Sequence, residues 1–120
     1  MRDVHRLEHI QTHCRDVLYD LERCAQTYEA FVQKPKLMER MRVALYHIGE
    51  LAEGLTDTFR AVPQDRVVWN AVCLWALLRT QPVQSLDTLW LWYTVYEEVP
   101  NLLFYCCDAM QGKYQTANPQ

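Results

Sequence analysis

Residues Trp69 to Trp90 read WNAVCLWALLRTQPVQSLDTLW. The first part is crowded with apolar and small side chains, the polar run Arg79-Thr80-Gln81-Pro82-Val83-Gln84-Ser85 breaks it, and a second apolar run opens at Leu86. An apolar run this short does not span a bilayer, so it reads as a core helix, a polar turn at Pro82 and a second helix. The polar interruption is the first place to look for chemistry.

Around that turn, the pattern predicts a third helix over residues 66–78, capped by Gln64-Asp65 and apolar almost all round, with Trp69 and Trp75 at the centre of a bundle. Past the turn, Ser85 or Asp87 is expected to cap a fourth helix bearing Leu86, Leu89, Trp90, Tyr93, Tyr96 and Val99 on its core face. Pro100 removes a backbone donor and must kink or restart that helix. Residues 101–110 read as a last helical segment, and residues 111–120 as a polar, frayed tail.

Upstream, Leu7, Ile10, Cys14, Val17, Leu21, Cys24 and Tyr28 recur in steps of three and four, a helical stripe with Asp3 as its N-cap. Residues 30–36 look like a connector, with Pro35 near the start of a second helix. That helix carries Leu37, Met41, Leu45, Ile48, Ala52, Leu55 and Phe59 and is expected to run until just before Pro63. Gly49 interrupts it at a local cost near 1 kcal/mol, for which a close helix crossing is the simplest compensation. Arg42 and His47 are five residues apart and do not share a helix face, so they read as unrelated. The whole is an all-α, antiparallel helical bundle.

A chain of 120 residues suits one domain with a core of its own, and only three glycines favour long helices over a turn-rich β fold. With 12 basic and 15 acidic residues the formal charge is -3, so no global positive field points to nucleic acid. The five cysteines, two of them adjacent at Cys106 and Cys107, form neither a metal-finger spacing nor a framework of bridges, which fits reduced thiols in a cytoplasmic protein. The charged opening MRDVHRLEHI is unlike a secretory signal, and no membrane segment is expected.

His5, His9 and His13 follow one another at single-turn spacing, and with Glu8 and Asp16 they are the sole support for a metal or cofactor bundle. No HExxH context and no repeated Glu-x-x-His pair accompanies them, so the simpler reading is a solvated polar face, with no metal and no cofactor. Trp90, Trp92, Tyr93, Tyr96 and Tyr105 at helical spacing read as core or dimer packing rather than a base-stacking platform. Trp92 lies off the expected stripe and, if exposed, would mark a partner surface.

Taken as an ordered set, MRVALYHIGELAEGLTDTFR (residues 41–60), Pro63, Trp69, SLDTLW (residues 85–90), EEVPNLL (residues 97–103) and the opening MRDVHRLEHI resemble the HepT-like branch of the HEPN superfamily over most of residues 1–110. The resemblance implies a four- to five-helix bundle that forms a homodimer. It also implies the toxin half of a toxin–antitoxin module, with a minimal nucleotidyltransferase antitoxin or RNA as partner. The family's chemistry is metal-independent RNA cleavage by an Arg-Asn-x-x-x-His-x-Tyr motif, in which the His moves a proton and the Arg holds phosphate. Here Arg79 stands for the Arg, Thr80 for the Asn, Gln84 for the His and Leu86 for the Tyr. An amide cannot exchange a proton at neutral pH, and losing general acid–base help worth roughly 10²–10⁴-fold leaves Arg79 a remnant. The expectation is therefore a degenerate ribonuclease acting by binding. The alternative is an active endoribonuclease in which His5, His9, His13 or His47 replaces the missing base. Arg79 has a structural reading too, as the cation closing the carbonyl end of the third helix.

Overall fold

The computed structural model describes residues 2–57, 59 and 63–111, with residues 63 and 64 described by their backbone alone. Its regular elements, in chain order, are α1 (Asp3–Cys24), α2 (Tyr28–Val32), α3 (Pro35–Glu53), α4 (Pro63–Cys73) with a 3-10 continuation Leu74–Thr80, a 3-10 turn Val83–Ser85, α5 (Thr88–Tyr93), a π-turn Thr94–Glu98 and α6 (Val99–Met110). No strand occurs among the described residues, and no helix among them is long and apolar enough to cross a membrane. The expected tail lies outside the described residues apart from Gln111.

The stripes of the first two long helices fold as their spacing dictates. Leu7, Ile10, Cys14, Val17 and Leu21 of α1 and Leu37, Met41, Leu45, Ile48 and Ala52 of α3 are all buried, and α1 packs on α3 and α6. Each large aliphatic side chain taken from water contributes roughly 1.5–3 kcal/mol, so these two stripes form the main hydrophobic seam.

Helix ends depart from expectation for local reasons. Arg2 is the N-cap of α1, and the Asp3 carboxylate instead accepts from the Thr56 backbone N–H (3.1 Å) and hydroxyl (2.7 Å). That pair of bonds draws the chain off the α3 axis, and α3 ends at Glu53 with Gly54 as its cap rather than running to Pro63. Leu55 and Phe59 are still buried, delivered by a turn. The first helix ends at Cys24, and Tyr28, expected on its stripe, opens a separate helix, α2, that runs into the expected connector; its N-cap Thr27 accepts from the Ala30 N–H at 3.1 Å. Pro35 opens α3 in its first turn as expected.

The stretch 69–90 is where structure and pattern differ most. Trp69 is fully buried between Phe59 and Tyr105, with ring centroids 5.8 and 5.5 Å away. The Tyr105 hydroxyl donates to Asp65, which sits in the first turn of α4 rather than capping it. From Leu74 the helix tightens to three residues per turn, which sorts its side chains into three ridges. Trp75 and Leu78 lean inward and Ala76 and Arg79 face α3, whereas Leu74 and Leu77 point to solvent, 64% and 60% exposed. The helix expected at the bundle centre thus has one apolar ridge outside.

Asp87 caps α5 as expected, accepting from the Leu89 and Trp90 N–H groups at 2.9 and 3.3 Å. Of the expected face only Val99 is fully buried, with Leu86 partly so. Leu91, Thr94, Val95 and Val99 are buried, while Leu89, Trp90, Tyr93 and Tyr96 are exposed. Thr94 is tolerated inside because its hydroxyl donates to the Trp90 carbonyl at 2.7 Å. Trp92, read as a partner surface only if exposed, is half-buried, packed on Phe31 (5.2 Å between centroids) and stacked on Tyr96 (4.9 Å). Pro100 restarts the helix as expected, sitting in the first turn of α6. The preceding turn widens, the Val99 N–H reaches back five residues to the Thr94 carbonyl, and α6 continues.

Candidate functional site

Gly49 sets the position of everything that follows. A Cβ there would lie 2.3 Å from the Ala76 nitrogen and 2.8 Å from the Trp75 carbonyl carbon, so the 3-10 segment touches the α3 backbone at this point. The close crossing read from the sequence is present, and its partner is Ala76.

One residue further along α3, Glu50 faces the same segment. Its Oε2 accepts from Arg79 Nη1 at 3.2 Å, and its Oε1 lies 3.6 Å from His47 Nδ1. His47 stacks on His13 of α1, with ring centroids 5.5 Å apart and planes inclined by 14°. His9, His13, His47, Arg6, Glu50 and Leu51 line one cleft of about 270 Å³. Of the four histidines weighed as a replacement base, three meet here and His5 does not. Burial, then the neighbouring His47, holds His13 below the ordinary imidazole range, against a smaller upward pull from Asp16.

The sequence reading missed Glu50, and the signal was Gly49 itself: a glycine inside a good helix marks where another backbone comes close, and its neighbour then faces that backbone. Arg79, expected as a motif remnant or as the cation at the helix end, lies in the last turn of the 3-10 segment. Its side chain is 69% exposed and bound to Glu50, and no hydrogen bond links it to Gln84 among the described residues. A second cation at the carbonyl end of the 3-10 segment is Arg42, whose Nη1 donates to the Leu78 carbonyl at 2.7 Å. Glu39 holds Arg42 in place, accepting from its Nε at 3.1 and 3.0 Å, and this bond keeps the Glu39 carboxyl below its usual range. Arg42 and His47, read as unrelated, are indeed engaged by different carboxylates.

Chemically, the cleft offers imidazoles able to move protons and an arginine able to hold an anion. Among the described residues no three His, Cys, Asp or Glu side chains converge closely enough to hold a metal ion.

A second feature lies on the other side of the 3-10 segment. Two adjoining clefts of about 440 and 500 Å³ share Ala71, Trp75 and Trp90 in their walls. Around them Val67, Leu74, Leu77, Leu89, Trp90 and Tyr93 are all exposed. These come from both sides of the polar turn that the sequence singled out. Comparison of the chain with protein-family models, curated proteins and solved structures returned no match.

Proposed function

We propose that this chain is a HepT-like HEPN module of a toxin–antitoxin pair that acts in the cytoplasm by binding, its motif ribonuclease chemistry lost. The observation that carries the reading is the solvent-facing apolar surface flanking residues 79–85, built from Leu74, Leu77, Leu89, Trp90 and Tyr93. Trp90 and Tyr93, 40% and 54% exposed, can each bring about 100 Å² to a contact, and with the three leucines they supply a large part of the roughly 800 Å² per partner of a stable interface. A second copy of the chain and a minimal nucleotidyltransferase are the partners this reading assigns, with RNA as the third. Gln84 and Leu86 in place of the motif His and Tyr support the loss of cleavage. The purified protein, assayed on RNA with a metal chelator present, is expected to leave the substrate intact; robust cutting abolished by Arg79→Ala would refute the loss.

One arrangement favours the alternative, an active metal-independent endoribonuclease with a relocated base. Glu50 ties His47 to Arg79, the two residue types this cleavage requires. On that reading RNA is cut, His47→Gln abolishes cutting, and chelation leaves it unchanged.

A further inference from the structure

The charge arrangement in the histidine cleft is unbalanced in one direction. Glu50, its single acidic wall residue, has both oxygens engaged, Oε2 by the Arg79 guanidinium and Oε1 by the His47 imidazole. Arg6 is permanently positive and poorly satisfied. Its Nη1 makes one long bond to the Leu51 carbonyl at 3.4 Å, and its buried Nε has no hydrogen-bond partner among the described residues. The three imidazoles crowd one another closely enough that both His47 and His9 oppose a proton on His13. Facing His13 are His9 and Asp16 from α1 and His47 from α3, with Arg6 and Glu50 in the same cleft. Helix α6 meets α1 on another flank, where Gln11 donates to Met110 and Cys107.

An anion in this space would accept from Arg6 and from the imidazoles, and would offset the repulsion that opposes a proton on His13. A cleft of about 270 Å³ is matched to a phosphate with part of a sugar and is too small for a folded macromolecular element. We infer that the cleft lined by Arg6, His9, His13 and His47 is a binding site for a phosphoryl group, carried by a mononucleotide or by an RNA backbone, and that binding takes up protons. The inference stands on these residues alone and does not require the HepT-like kinship. Reciprocity follows from linkage: the phosphoryl group favours the protonated imidazoles, and acid favours the bound phosphoryl group.

The test is titration of the full-length protein with inorganic phosphate at constant ionic strength, followed through the imidazole resonances by NMR. The His13 and His47 signals are expected to move together and saturate, with affinity about tenfold higher near pH 6 than near pH 8. His47→Gln, at a half-exposed position, is expected to weaken binding about fivefold or more. Arg40→Gln, whose guanidinium pairs with Asp20 elsewhere on α3, is expected to leave it unchanged. Adenosine monophosphate and a trinucleotide without terminal phosphates distinguish the two sources: equal binding of both assigns the RNA backbone, and binding of the monophosphate alone assigns a terminal phosphate. Signals that move equally with sodium chloride, fail to saturate, or respond identically in His47→Gln overturn the inference, as does an affinity that is the same at both pH values.

Discussion

His47 and Arg79 approach the same carboxylate from different elements, Nδ1 of His47 lying 3.6 Å from one oxygen of Glu50 and Nη1 of Arg79 3.2 Å from the other. They are 32 residues apart, and Glu50 is their one shared ionic partner among the described residues. Replacing the bridge separates the two functional readings. Glu50→Gln removes a partly exposed pair of ionic contacts, so stability is expected to change by no more than about 1 kcal/mol. If the chain cuts RNA through His47, cutting falls with Glu50→Gln as with His47→Gln; a binding module shows no cleavage in any of the three proteins.

Gly49→Ala tests the crossing that brings those groups together. By helix propensity alone the change would stabilise α3 by about 1 kcal/mol. The added carbon would instead meet backbone atoms of Trp75 and Ala76, which cannot move aside cheaply, and overpacking of this kind costs about 1–3 kcal/mol or more. Urea denaturation is expected to show net destabilisation and, for the same reason, a weakened Glu50–Arg79 pair.

Leu77→Glu and Tyr93→Ser test the outer apolar surface. Both residues are exposed in the protomer, so chemical denaturation of the dissociated chain is expected to shift by about 0.5 kcal/mol or less. Sedimentation is expected to show a wild-type protein that associates with rising concentration and variants that do not. Trp69→Ala, at a fully buried ring, gives the contrast, with an expected loss of about 3–5 kcal/mol.

The pH dependence of stability has a definite sign at His13. Its folded pKa lies below the 6.5 of the unfolded chain, so the unfolded state takes up the proton first as acid is added. This contribution to stability is complete above pH 6.5, falls as the pH drops from there to the lowered folded value, and is flat below it. Thermal denaturation in a buffer free of phosphate is expected to show that slope, and His13→Gln to remove it.

Thiol reactivity should divide the five cysteines by burial. Cys14 is buried, with its thiol pushed up to about 12 by desolvation, and buried Cys106 is raised for the same reason. Cys24, Cys73 and Cys107 are partly exposed. Brief alkylation of native protein followed by peptide mass analysis is expected to label those three and spare Cys14 and Cys106.

Helices α1 and α3 were legible because one face of each is Leu, Ile, Val and Met at three- and four-residue steps and the other faces are polar. The second half of the chain offered two interleaved apolar faces. Aromatic residues at 90, 93 and 96 hid the true core line through Leu91, Thr94, Val95 and Val99, and a threonine within that line made it look polar. Hydrophobicity does not say which of two apolar faces is covered. The histidine cleft was half visible: His9 and His13 are a turn apart on one helix, but only tertiary packing brings His47 to them. Gly49 was the one local sign of the approach, and Glu50 beside it went unread.

The wide turn at Thr94–Glu98 acts as a gear between the two ends of the chain's last long helix. In uninterrupted α winding Leu91, Val95, Val99, Leu102 and Cys106 would fall within about 80° of one another, a single stripe. Five residues wound loosely advance less per residue, so the turn holds about one residue more than plain α winding of the same rotation. Loss of a single codon within this turn would therefore let it wind as plain α-helix with both halves still in phase, whereas loss of one codon elsewhere in α6 would swing the rest of that helix by about 100° and turn its inner seam the wrong way.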